Sequence, residues 1–265
     1  LLMTGDYDMQ RVTNDTRGRV RTGRWGWAFV AALTVGATGC DTLLDVENPN
    51  NVVQEDLESA SSVNALVNGA LALAADAVSE VMVSTGDLSD ELSHTGSQNW
   101  AAELDVGLIT NPEGRSDALF NALSEARWMA EEAIAVAGQF EGQLTLPSDL
   151  ARANLLSGIL YLTIADNFED FTFSNRTEVG PPVGEANMNT VYDIALERFA
   201  TAETEAAALG ESGMVLAAKA FQARAHWAKA LWSKLNPPGS APADPLVSSS
   251  QANALAAEVI GEIGA

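Results

Sequence analysis

Six stretches of this chain place apolar residues three and four positions apart, and that period limits its possible folds more than any other feature. In the first, Leu57 to Val83, the stripe runs through Val63, Leu66, Val67, Ala70, Leu71, Ala74, Ala77, Val78 and Val81, one face of an α-helix. The others run from Ser116 to Phe140, Ser148 to Phe168, Asn189 to Leu209, Val215 to Leu235 and Ser250 to Ile263. Asp56 and Ser148 stand where N-caps belong. Period-two alternation is confined to Leu144–Leu146 and Phe171–Phe173, too short to build a sheet. Alanine fills 44 of the 265 positions, favouring helix and close helix–helix approach. The pattern predicts an all-α protein.

Loop lengths sort the six helices into three pairs. Connections within pairs are long (84–115, 169–188 and 236–249), and those between pairs are short (141–148 and 210–214). The segment Asn236 to Pro245, NPPGSAPADP, is one no helix could cross. The second, fourth and sixth helices repeat a spacing: Ala126-Ala130-Ala133, Ala195-Phe199-Ala202 and Ala252-Ala256-Val259. That is the spacing of the second helix in a tetratricopeptide repeat, and Gly158 and Tyr161 sit three apart, as first helices of such repeats prefer. Alanine-rich helices also produce such triplets by chance, and the proline and tryptophan landmarks are not repeated, so both explanations stand. In a stacked array equivalent connections leave by one edge, which places the three long loops on a common rim. Long loops on a rigid scaffold are where binding residues concentrate.

Ahead of the helices lies a different kind of segment. Five of the 14 bases (Arg11, Arg17, Arg19, Arg21, Arg24) precede residue 25, and an uncharged run follows from Trp25 to Gly39. Its 15 residues fall short of the ~20 a membrane span needs, and the order basic, apolar, small is that of a secretory signal. Residues 1–39 are therefore expected to be a leader, with the sole cysteine, Cys40, directly after Ala37-Thr38-Gly39. The placement resembles a bacterial lipobox, although Ala37 stands where leucine is usual; lipidation at Cys40 is the expectation, an inert buried cysteine the alternative. Residues 40–56 read as a polar tether and 57–265 as the helical domain, either whole or truncated at its C-terminal end. From Cys40 onward 33 acids face nine bases, which disfavours nucleic acid and polyanionic ligands, and one cysteine excludes a disulfide framework.

Cys40-Asp41 followed by LLDVENPN (Leu43 to Asn50), then LYLTIADNFED (Leu160 to Asp170), VYDIALERFATAE (Val191 to Glu203) and AAKAFQARAHWAKALW (Ala217 to Trp232) together resemble the SusD/RagB outer-membrane lipoproteins. The resemblance implies a non-catalytic, tetratricopeptide-like scaffold, lipid-anchored at the outer membrane, that captures an oligosaccharide or other nutrient over a TonB-dependent transporter barrel. Two features depart from the family. Its glycine-aspartate-hydrophobic-proline turn reads here as Glu169-Asp170-Phe171-Thr172, and its members continue with a loop-rich region beyond the sixth helix, whereas this sequence runs to Ala265.

No zinc motif, P-loop, dinucleotide fingerprint or nucleophile elbow occurs, so neither cofactor nor metal is expected. Asp90-Glu91 and Glu131-Glu132 are adjacent acids, and neighbours on a helix cannot face each other across a glycosidic bond; a solvated acidic surface is the simpler explanation. A sugar needs an aromatic platform edged by amides and carboxylates. The first long loop supplies Asp90, Glu91, His94, Gln98, Asn99 and Trp100, and the second supplies Phe171, Phe173, Asn175 and Arg176. Trp100 lies outside the helical stripes, so it is a candidate for ligand contact, loop anchoring or transporter contact. Trp128, Trp227 and Trp232 lie within helices and are expected in the core or at pair interfaces, and His226 as a structural histidine. A protein-interaction scaffold without a small ligand is the rival function; an apolar groove would favour it.

Overall fold

Each of the six apolar stripes forms a helix in the computed structural model, which describes residues 59–109, 114–175, 177–236, 241–244 and 246–264. The leader, Cys40, the tether, Asp56 and Arg176 lie outside the described residues, as do Pro237–Ser240 and Pro245 of the third long connection. The helices are α1 (Val63–Leu88), α2 (Asn99–Leu104), α3 (Arg115–Gln139), α4 (Asp149–Asn167), α5 (Asn189–Ala208), α6 (Ser212–Leu235) and α7 (Ser250–Ile263), with a 3₁₀ turn at Glu185–Asn187 before α5. Among the described residues the only β pairing is an isolated antiparallel bridge, Thr172 to Pro182. The protein is all-α. Of the two short strand candidates, Phe171–Phe173 contributes this bridge and Leu144–Leu146 forms none.

Helix α1 begins at Val63 after a turn, later than the expected Leu57, and α6 begins at Ser212, three residues ahead of Val215; two further departures lie in the first long connection. Helix α1 runs on to Leu88, and within it the hydroxyls of Ser84 and Thr85 turn back on the carbonyls of Glu80 and Val81, at 2.9 Å each. Bonded back in this way, the two side chains have their polar atoms satisfied inside the helix and do not compete to end it. Helix α2 lies inside the first long connection and, at six residues, is too short to show a period. Ser148 occupies the N-cap position of α4, yet its side chain makes no capping hydrogen bond. Ser249 does cap α7, accepting from the Ala252 amide at 3.3 Å.

Two helix ends have simple causes. Helix α5 closes on Gly210 at φ +74°, with the Glu211 amide donating to the Ala206 carbonyl at 2.9 Å, a left-handed termination that favours glycine. Helix α1 uses Asp90 at φ 59° for the same left-handed step, and the Glu91 and Leu92 amides both return to the Gly86 carbonyl. Aspartate tolerates that conformation better than most side chains.

Long helices pack on their neighbours along the chain: α1 on α3, α3 on α4, α4 on α5, α5 on α6, and α6 on α7. In addition α1 packs on α4, and α4 on α6. The small-residue triplets sit at these contacts. Ala126, Ala130, Ala133, Ala195, Phe199 and Ala202 are fully buried, while in α7 Ala252 and Val259 are buried and Ala256 is half-buried. Gly158 of α4 faces the Phe199 ring so closely that a Cβ there would lie 2.5 Å from it, which explains glycine in mid-helix despite its entropic cost. Phe199 stacks in turn on Phe221 of α6, centroids 5.4 Å apart. By length and composition α1 is apolar enough to cross a membrane, with mean hydropathy 1.5. Its stripe, from Val63 through Ala70, Ala74 and Ala77 to Val81, is packed within the fold, and a core helix meets the same test.

Polar ties cross the helix contacts. Glu131 accepts from Ser157 at 2.6 Å and from Arg198 at 2.5 Å, linking α3 to α4 and α5. This corrects the expectation of a merely solvated Glu131-Glu132 pair: Glu131 is three-quarters shielded. Buried Asp149 takes Arg152 at 2.8 Å and Asn64 at 3.0 Å, fixing the start of α4 to α1.

Candidate functional site

The first two long connections meet around the end of α4. There a cleft of about 270 Å³ opens between the last turns of α1, helix α2, the first turns of α3 and Asn167–Glu169. Its walls are largely apolar, from Val81, Leu88, Leu104, Leu108, Ile109 and Leu119, and Ile109 is 68% exposed at its mouth. Trp100 lines it. The Arg115 guanidinium lies 4.1 Å from the indole centroid, a cation–π contact. Arg115 is held there from behind: its Nε donates to Ser84 Oγ at 2.9 Å, and an Nη donates to the Glu80 carbonyl at 3.0 Å and pairs with the Glu80 carboxylate at 2.6 Å. The last turns of α1 thus supply the groups that hold the cation over the tryptophan.

Of the residues expected to form the first binding set, only Trp100 lines this cleft. Trp100 belongs to a helix, contrary to its placement in a loop. Asp90 and Glu91 are exposed and form the turn that ends α1. His94 and Gln98 are brought together across Gly96, where a Cβ would lie 2.7 Å from Gln98 Oε1 and 3.1 Å from the His94 ring. The His94 amide donates to Asp105 at 3.0 Å, and its Nε2 is buried without a hydrogen-bond partner among the described residues. Asn99 is exposed at the start of α2.

The second set divides more sharply. Phe171 is 1% exposed, the centre of an aromatic cluster with Phe120 at 4.5 Å, Phe168 at 5.2 Å and Phe173 at 5.3 Å. It is a core residue and no open platform. Phe173 is half-buried, packed edge-on against Tyr161 and lying under the buried Arg127, which donates to the Ser174 carbonyl. Burial pushes the Tyr161 phenol up, with Glu131 adding to the shift, so it remains a neutral hydrogen-bonding group. Asn175 builds a turn: its side chain accepts from the Thr177 amide at 2.9 Å and the Glu178 amide at 2.7 Å. The sequence showed the aromatics of this connection; their inward direction follows from the Thr172–Pro182 bridge and the Gly184 amide bound to Asp170 at 2.7 Å.

A second cleft, of about 260 Å³, is built on the other side of the same helix end, from Asp166 of α4, Tyr192 of α5 and Arg224, Trp227, Leu231, Trp232 and Asn236 along α6. Here the sequence-based expectation fails for Trp227, which is 47% exposed and not a core residue. Trp232 and Trp128 are half-buried, and Trp232 packs on the main core. Arg224 pairs with Asp166 at 2.6 Å, and the Tyr192 hydroxyl donates to the other Asp166 oxygen at 3.0 Å. Burial, reinforced by the Asp166 charge, pushes the Tyr192 phenol far up, so it stays a donor. Half-buried His226 lies beside a third hollow, with Asp193, Lys229 and Ser248–Gln251, where the third connection returns to α7. Burial and Lys229 lower its affinity for a proton.

Among the described residues no group of three His, Cys, Asp or Glu converges as a metal site. The clefts offer surfaces for binding: aromatic faces, apolar walls and charge-paired hydrogen-bonding groups. No protein-family model, curated protein or solved structure matches the chain.

Proposed function

We propose that this chain is a non-catalytic lipoprotein of the SusD/RagB kind, anchored at the outer membrane through Cys40, that captures a nutrient, an oligosaccharide in the first instance, and passes it to a TonB-dependent transporter barrel. One observation carries the reading beyond the sequence resemblance. The long helices pack in chain order with α1 also on α4 and α4 also on α6, and residues at the ends joined by long connections line the clefts. That packing order is what a stack of three tetratricopeptide-like pairs requires, α4 and α6 following α1 as first helices. The close approach of Gly158 to Phe199 supports the same reading, since small residues let paired helices meet. Such a stack sets its loops along one rim, where a lid over a barrel would meet both ligand and transporter.

A tagged full chain, solubilised from outer membranes, is expected to bring down a large β-barrel protein. Alkyne fatty-acid labelling is expected for wild type and lost in Cys40→Ala. Equal labelling of the two sinks the anchor, and repeated recovery without a barrel sinks the transporter partnership.

The apolar walls of the Trp100 cleft favour a second reading, a tetratricopeptide-like scaffold that grips a protein partner and takes no small ligand. Under it the chain recovers a non-barrel partner, and Leu88→Asp with Ile109→Asp abolishes that recovery.

A further inference from the structure

We propose that the cleft between α4, α5 and α6 binds one ring of a neutral sugar, stacked on Trp227 and hydrogen-bonded to the Arg224–Asp166 pair. The inference deepens the nutrient-capture reading and rests on it for its biological use, while its geometry is independent of the lipid anchor.

Trp227 carries the first part of the case. It sits within α6, whose other aromatics turn inward: Phe221 stacks on Phe199, and Trp232 packs against the core. Leaving an indole 47% exposed forgoes the burial that such a large side chain normally gains. Ala228, the next residue, is buried and small, so the floor between the two tryptophans is not filled.

The polar edge decides the ligand class. Arg224 and Asp166 neutralise each other, and Tyr192 fixes the carboxylate from the far side. An arginine has five N–H donors, and Arg224, 54% exposed, presents more of them than one carboxylate contact uses. Donor and acceptor groups therefore stand side by side, which suits vicinal hydroxyls that both donate and accept. A purely apolar ring would cover this pair without replacing its water, at a cost. An anion would have to compete with Asp166 for Arg224, within a body of strong negative charge. A neutral ring with one apolar face and hydroxyls at its edge meets both demands. The volume of about 260 Å³ lies just below the usual range for drug-sized ligands, so the cleft holds a single ring and the rest of a chain would extend along the surface.

The test is calorimetry and tryptophan fluorescence on the full chain, in a detergent without a sugar headgroup. The probes are neutral hexasaccharides of gluco-, manno-, galacto- and xylo-configured units. At least one is expected to bind with one-to-one stoichiometry and to change tryptophan emission. Trp227→Ala should weaken it roughly tenfold or more, and Trp227→Phe should restore most of the loss, with Trp100→Ala measured alongside as the variant of the rival cleft. Arg224→Met, at an exposed position, should weaken binding comparably if Trp227→Ala proves unstable. Failure of every hexasaccharide to bind wild type overturns the proposal, as does binding that survives both Trp227→Ala and Arg224→Met or is lost only in Trp100→Ala. Barrel recovery and lipid labelling use no sugar, so a negative result here with a barrel recovered removes this site alone.

Discussion

In the cleft between α1, α3 and α4, Trp100 lies under the Arg115 guanidinium, which Glu80 and Ser84 hold in place. In the cleft between α4, α5 and α6, Trp227 is 47% exposed and the neighbouring arginine is paired with Asp166. Both clefts use one end of α4, and each sets a tryptophan near an arginine–carboxylate pair. Both arginines hold a carboxylate, but Arg115 also lies over its tryptophan beside a mainly apolar hollow, whereas Arg224 gives its cleft a polar edge. Similar residue types thus make one mainly apolar surface and another edged by a paired donor and acceptor.

The comparison is broken most completely from beneath. Phe199→Ala removes the ring between Gly158 and Phe221 and is expected to cost about 3–5 kcal/mol. Chemical denaturation followed by circular dichroism measures this, and the two clefts should lose protection from hydrogen exchange together. Arg127→Met should affect the first side alone. Its loss unpairs the Ser174 carbonyl and uncovers Phe173, at about 1–3 kcal/mol, with faster exchange over residues 171–183 and none gained in α6. Tyr192→Phe is the local counterpart on the second side. It removes one hydrogen bond to Asp166, about 0.5–1.5 kcal/mol, and should shift sugar affinity while leaving α2 exchange unchanged.

The smallest effect is a pH dependence. His226 holds its proton more weakly when folded than the ordinary value of 6.5, because of burial and then Lys229, with Asp193 partly opposing. The unfolded chain therefore takes up this proton first as pH falls, so the contribution of His226 to stability is present above about 6.5 and is lost below it. In paired denaturation curves at pH 7.5 and 5.5, His226→Gln should lose less stability on acidification than wild type. An equal loss would show that Lys229 and burial do not act on this imidazole.

Much of the helical framework was legible because periodicity is a local property. Ser250–Ile263 coincides with α7, and Ser116–Phe140 differs from α3 by one residue at each end. The misjudged region was 84–104, where serine, threonine and glycine read as loop although Ser84 and Thr85 bond back into α1. The candidate sites were less legible. Asn175 and Asp90 looked like ligand groups because turn-forming residues and sugar-binding residues draw on the same amino acids. Phe171 looked like a platform because nothing near it in sequence reveals Phe120, which meets it from α3.

By itself the sequence determined that the chain would be helical, where most helices would run, which face of each would be apolar, and how acidic the body would be. Only the tertiary structure decided which aromatics on those faces are covered. Trp227 lies on a helical face with Arg224, Ala228 and Leu231, and the stripe looks like core until α4 and α5 are in place. Coverage depends on neighbours distant in the chain, here Asp166 and Tyr192, whose positions no local period encodes.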